Sequence, residues 1–220
     1  MIQTVIFDID GTLLDTERIY MHAWKLAAAK NGYEIPQIAL LKTRAVNAAV
    51  AKACFQSYCG ADFPYEQIRL ERVAIGEELI AGESPKTLLK PYAVEILQWL
   101  QSRGIRLAAA TSTGYASTME HLEHAGLTAY FSVIVTGDMV KKGKPEPDIF
   151  LEAAKRTGSE PGQCLVVGDS PADVLAASAA GIPVVLIPDQ VPANEQTTAL
   201  SRKVLSGLDE LAEAMALDWE

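Results

Sequence analysis

A chain of 220 residues, 49% hydrophobic and 21% charged, has the composition of an ordinary globule and is long enough to bury a good core. Its net charge of −9, with no block of basic residues, excludes nucleic acid and anionic membrane surfaces from the expected partners. A small anionic substrate fits only where a cation or a local lysine offsets that field.

The first predicted element is a strand over 3–7, and it runs directly into Asp8 and Asp10. Residues two apart lie on the same side of an extended chain. Two carboxylates so placed repel each other and lose hydration unless something positive lies between them. Asp10-Gly11 alone reads as a turn; the acidic pair after a buried-type strand reads as a site. A helix is predicted over 16–31, with Asp15 or Thr16 as N-cap and Asn31-Gly32 as its end. Two more helical stretches follow, roughly 45–59 and 64–81, and no convincing strand occurs within 16–82.

From Pro91 the pattern changes to helix 92–103, then the strand IRLAAAT over 105–111. Helix 114–125, strand 132–136 and a helix from Pro145 and Pro147 to Arg156 come next. The strand CLVVG (164–168), helix 171–180 and strand 183–187 follow, then a polar loop over 188–203 and a last helix from Ser206 to about Met215. Continuous apolar strands separated by helices define an α/β fold with a parallel sheet covered on both faces. The all-helical block interrupts this alternation after the first strand. The predicted organisation is therefore a catalytic core over 1–15 and 86–220, with an inserted helical cap over 16–85.

No apolar run approaches the roughly 20 residues of a membrane span, and no signal pattern opens the chain. Cys54, Cys59 and Cys164 lack zinc spacing and read as reduced thiols of a cytoplasmic protein, with Cys164 in the core. His121 and His124 read as a solvated pair, without a third ligand nearby.

Ligands of open parallel sheets sit outside the carboxyl ends of the strands. There the chain delivers Asp8 and Asp10, Thr111-Ser112, Gly168-Asp169-Ser170 and, one turn on, Asp173; Lys144 arrives from the loop GKPEPD. Four carboxylates and one ammonium balance only if a divalent cation joins them, and an oxygen-only donor set suits Mg²⁺. An aspartate nucleophile, a hydroxyl and a lysine to hold phosphoryl oxygens, and a metal to offset charge together fit phosphoryl transfer.

FDIDGTLLDT, AAATST, GKPEPDIF and VVGDSPADVLAASAAGIP, taken together, resemble the haloacid dehalogenase superfamily. The resemblance is to its β-phosphoglucomutase-like and phosphoglycolate phosphatase-like members with a helical cap. It implies a Rossmann-like sheet and a mobile cap, with Asp8 as nucleophile and Asp10 as general acid/base. It also implies Mg²⁺ held by Asp8, the Asp10 carbonyl and Asp169, with Asp173 supporting the metal's waters. Thr111, Ser112 and Lys144 would hold the substrate phosphate.

Asp10, Asp169 and Asp173 favour a metal-dependent phosphatase over a dehalogenase, which needs no metal. Tyr20 stands where the mutases of the family carry a histidine, with His22 two residues on, so hydrolysis is expected over phosphomutase activity. A non-catalytic phosphate-receiving signalling module would order its acids differently along the chain and has no use for a helical cap. The expected substrate is a small phosphorylated metabolite. Arg18, Tyr20, His22 and Arg44, with Lys42 and Asn47, are the cap candidates for choosing the leaving group, and Trp24 reads as a core anchor between cap helices.

Overall fold

Thr4-Val5-Ile6-Phe7 is rich in β-branched residues and buried at every position, as a strand covered on both faces must be. In the computed structural model, which describes residues 1–43 and 48–218, it forms β1 (Thr4–Phe7) at the middle of a sheet. Four helices follow: α1 (Thr16–Lys30), α2 (Gln37–Lys42), α3 (Ala48–Cys59) and α4 (Tyr65–Gly82). Then come α5 (Pro85–Leu88), α6 (Ala93–Ser102), β2 (Arg106–Thr111), α7 (Tyr115–His124), β3 (Val133–Thr136) and α8 (Asp148–Thr157). The chain closes with β4 (Cys164–Gly168), α9 (Pro171–Ala179), β5 (Val184–Leu186), α10 (Glu195–Leu200), β6 (Lys203–Val204) and α11 (Leu211–Asp218).

The sheet order is β3-β2-β1-β4-β5-β6, and all neighbours run parallel. The chain therefore winds outward from β1 to one edge, then returns to β1's other side as β4. That reversal opens a crevice at the carboxyl ends of β1 and β4, the place where Rossmann-type sheets bind ligands. Ile6, Ala108 and Val166 of the sheet pack with Phe150 of α8 and Val174 and Ala177 of α9 in one apolar core.

Met1–Asp15 with Pro85–Glu220 makes one compact unit, and Thr16–Ser84 makes the other. At the edge of the first unit the outgoing and returning chain segments are tied together. Asp15 N–H donates to the Leu88 carbonyl at 2.8 Å and Lys90 N–H to the Leu13 carbonyl at 2.9 Å. Lys90 Nζ also lies 2.7 Å from Asp189 and 3.7 Å from Asp15. In the helical unit, α1 packs on α4 where Gly76 leaves room for Tyr20: a Cβ there would sit 3.1 Å from its ring. Trp24 is the anchor its sequence position suggests, with its ring 4.7 Å from that of Phe55 and 6.0 Å from that of Tyr65.

Several elements depart from the sequence reading. α2 and α5 are additional short helices, and the supposed loop 188–203 contains α10 and the start of an edge strand, β6. The last segment starts later than Ser206, with a 3₁₀ turn over Leu208–Glu210 that leads into α11. His121 is buried rather than solvated, on the face of α7 that also buries Thr118 and Leu122. Arg44 and Asn47, both cap candidates, lie outside the described residues. No helix among the described residues is long and apolar enough to cross a membrane.

Candidate active site

Asp8 is the first residue past β1 and stays in the ladder, its N–H donating to the Val167 carbonyl at 2.9 Å. Its carboxylate is buried and pairs with the Lys144 ammonium. The same ammonium lies 2.7 Å from Asp173 Oδ1 and donates to the Ala110 carbonyl at 2.8 Å, so the ends of β1 and β2 and the first turn of α9 share it. The Phe150 ring lies 4.9 Å from Nζ.

Gly11 follows Asp10 at φ +89°, a left-handed conformation that side chains other than glycine's resist. The chain turns there, with Gly11 N–H donating to the Leu14 carbonyl at 2.7 Å. Asp169, the first residue past β4, fills the space over the glycine: a Cβ on Gly11 would lie 2.6 Å from Asp169 Oδ2. Thr12 donates to Asp169 Oδ1 at 3.2 Å.

GDSPAD builds its own corner. Ser170 caps α9, Pro171 occupies the first turn, and Asp173 completes a capping box with Ser170. Asp173 Oδ2 accepts from the Ser170 N–H at 3.0 Å and from its hydroxyl at 2.5 Å. Gly168 permits this close approach, since a Cβ there would lie 2.6 Å from Asp173 Cβ.

Asp10 faces the end of β2. Its Oδ2 accepts from Thr111 Oγ1 at 3.1 Å and from Thr113 Oγ1 at 2.7 Å. Ser112, the other half of the expected hydroxyl pair, is exposed, and the second hydroxyl on Asp10 is Thr113 instead. The alternation that singles out Asp8 and Asp10 applies equally to Thr111 and Thr113, so the signal was present. Thr12 carried none beyond its place beside Gly11.

Oxygens of Asp8, Asp169 and Asp173 all lie within 4.8 Å of one another, and all three residues are buried. Burial, above all, pushes the Asp8 carboxyl up to about 8; Asp173 and Asp10 add to the rise, and Lys144 pulls against it. For Lys144, burial works against its charge, but the carboxylates of Asp173 and Asp8 override it and hold the ammonium above the usual lysine range. One ammonium among four aspartates leaves a negative excess once Asp8 ionises. The all-oxygen donors around it fit a hard divalent cation.

The helical unit holds a separate pocket of about 190 Å³, lined by Glu17, Tyr20, Trp24, Thr43 and Arg72 among others. The Arg72 guanidinium lies 4.3 Å from the centre of the Tyr20 ring, a cation–π contact. Of the cap candidates among the described residues, only Tyr20 lines this pocket. Arg18 pairs with Glu83 at 2.9 Å, Lys42 donates to the Tyr58 hydroxyl at 2.8 Å, and His22 is exposed. Arg72 escaped the sequence reading because it falls mid-helix in α4, among charged residues spaced like a solvated face.

Fold and site together define a Rossmann-type α/β protein that gathers carboxylate oxygens, hydroxyls and one ammonium at the ends of β1, β2 and β4. The chain belongs to the haloacid dehalogenase-like hydrolases, whose family model matches residues 2–181. It is 33% identical over 180 residues to a phosphorylated carbohydrates phosphatase of Thermotoga maritima, covering 82% of each chain. It is 34% identical over 183 residues to hexitol phosphatase A of Escherichia coli, covering 83% of this chain and 81% of that one. Among solved structures, CbbY from Rhodobacter sphaeroides in complex with phosphate superposes with a TM-score of 0.80 at 26% identity, over 96% of both chains.

Proposed function

We propose that the protein is a Mg²⁺-dependent phosphatase of a small phosphomonoester, a sugar phosphate or similar organic phosphate, acting through a phospho-aspartate on Asp8. The observation that carries this reading is the placement of Asp8, buried and paired with Lys144, two residues before an Asp10 held by two threonine hydroxyls. The relatives named as phosphatases of phosphorylated carbohydrates and of hexitol phosphates support the substrate class.

In this reading an Asp8 carboxylate oxygen attacks phosphorus, and the bond to the leaving oxygen breaks as Asp10 delivers its proton to that oxygen. Asp10, now a carboxylate, takes a proton from water, and the hydroxide attacks the phosphorus of phospho-Asp8. Inorganic phosphate leaves, and both aspartates return to their starting states. Lys144, Thr111 and Ser112 are assigned to the phosphoryl oxygens. Asp8, Asp169 and the Asp10 carbonyl would hold Mg²⁺, with Asp173 supporting its waters. The ion supplies charge neutralisation at the phosphoryl group.

Choice of leaving group is assigned to the helical unit. Tyr20 is buried beneath the Arg72 guanidinium, so the position where mutases carry a histidine offers no imidazole for proton transfer. Water is therefore the acceptor. The free thiols of Cys54, Cys59 and Cys164 fit a reducing, cytoplasmic setting.

A panel of sugar and polyol phosphates with Mg²⁺ tests this. Steady release of inorganic phosphate is expected, lost on chelation, restored by Mg²⁺ and absent in Asp8→Asn. From a hexose 1-phosphate the products should be phosphate and free sugar. Accumulation of the 6-phosphate isomer with little phosphate would make the protein a mutase, and full turnover in excess chelator would end the metal-dependent reading.

A further inference from the structure

The loop after β3 closes on the loop after β2. Gly137 N–H donates to the Thr113 carbonyl at 3.1 Å. A Cβ on Gly137 would lie 2.3 Å from the Ser112 carbonyl oxygen, so only glycine lets the two backbones approach this closely. The next residue, Asp138, accepts from the Tyr115 N–H at 3.2 Å through both carboxylate oxygens, and from the Thr136 hydroxyl. Those bonds, the one from Thr136 foremost, hold its carboxyl below the usual carboxylate range, so it stays an acceptor. From the helix side, Thr118 Oγ1 donates to the Gly114 carbonyl at 2.9 Å. The turn 112–115 is thus clamped from β3 and from α7. Thr113 within it places its hydroxyl on Asp10 Oδ2, the oxygen that also accepts from Thr111.

The geometry points to Thr113 and Asp138 as positioning residues for Asp10: Asp138 fixes the turn, and Thr113 fixes the plane of the Asp10 carboxyl. The Thr113 hydroxyl on Oδ2, joined by that of Thr111 until a phosphoryl oxygen claims it, leaves the proton of the neutral acid to Oδ1. One oxygen is held by the core and the other carries the proton to be transferred. A carboxyl free to rotate would spend part of its time with that proton misdirected, and misplacement of a catalytic group by about 1 Å can cost on the order of 100-fold. The inference rests on the phosphatase reading, in which Asp10 is the acid and base.

The test compares Thr113→Val, Asp138→Ala and Asp138→Asn with Asp10→Asn, using an aryl phosphate and a sugar phosphate with Mg²⁺. Thr113→Val and Asp138→Ala are expected to lower kcat for the sugar phosphate on the order of tenfold or more at near-constant KM, a fraction of the 10²–10⁴ that acid/base catalysis supplies. Single-turnover phosphorylation by the aryl phosphate, whose leaving group needs little protonation, should fall far less. Hydrolysis of phospho-Asp8 still needs the base, so acid-quenched phosphoenzyme should accumulate from the aryl phosphate. Asp138→Asn keeps an acceptor for the Tyr115 N–H and should recover part of the loss. Thr113→Val added to Asp10→Asn should cost nothing further. Equal losses for both leaving groups, or a loss confined to KM, would overturn the inference if Asp10→Asn keeps its leaving-group selectivity. If Asp10→Asn lacks that selectivity, the acid role of Asp10 falls, and the inference falls with it. Thermal melts and Mg²⁺ titrations identify any variant that fails merely by unfolding; Thr113→Val and Asp138→Asn, which keep size and shape, then decide.

Discussion

At the scale of single residues, Gly11 carries two requirements at once. Its φ of +89° turns the chain away from Asp10, and its missing Cβ makes the space that Asp169 occupies. Gly11→Ala would bear the left-handed strain, about 1–2 kcal/mol, and would push the Asp169 carboxylate from its place. Loss of a group that orients a metal ligand costs about 10–100-fold in metal affinity, and a loss of that order is expected in a calorimetric Mg²⁺ titration. Unchanged affinity would remove Asp169 from the ligand set. Asp8, Asp10, Asp169 and Lys144 were legible in the sequence because each stands at the end of a predicted strand or in the loop before a helix. Asp138 was not. Its acceptor role depends on β3 lying beside β2, a pairing between distant segments that leaves no local mark on the residue itself.

At the scale of elements, α9 couples a folding signal to the site. The capping box that starts the helix uses Ser170 and Asp173, and the same Asp173 turns its other oxygen to Lys144. Ser170→Ala removes both the cap acceptor and a donor to Asp173. It should destabilise the protein by about 1 kcal/mol in urea melts, the usual cost of a lost N-cap. It should also weaken the hold on Lys144, lowering activity beyond what the stability loss explains. No change in either would mean that Pro171 and the backbone alone start the helix. α9 was readable because Pro171, its cap and its apolar face agree. α10 has an equally good capping box, Asn194 with Thr197, but its residues are mostly polar and exposed, so the periodicity needed to recognise a helix is missing. β6 is two residues long and exists only through its pairing with β5. Such an edge strand carries almost no information in its own residues.

At the scale of the whole molecule, the acid cluster is a stability liability that a bound cation would relieve. In the metal-free protein the Asp8 carboxyl is raised to about 8, by burial first and by Asp173 and Asp10 next, against the pull of Lys144. The unfolded chain ionises Asp8 in the ordinary carboxylate range, whereas the folded chain keeps the proton until about pH 8. Between those limits the folded state binds more protons, so its stability falls as pH rises and levels off above the folded value. Asn at position 8 does not titrate. In chelator, urea melts of the native protein and Asp8→Asn should therefore diverge, with the variant gaining relative stability from about pH 5 to pH 8 and no further gain beyond. Bound Mg²⁺ favours the ionised carboxylate, so saturating Mg²⁺ should stabilise the native protein most at the alkaline end and leave Asp8→Asn much less affected. A pH-independent difference between the two proteins in chelator would mean that the Lys144 ammonium alone keeps Asp8 ionised. The cation would then be needed for the phosphoryl group and not for the fold.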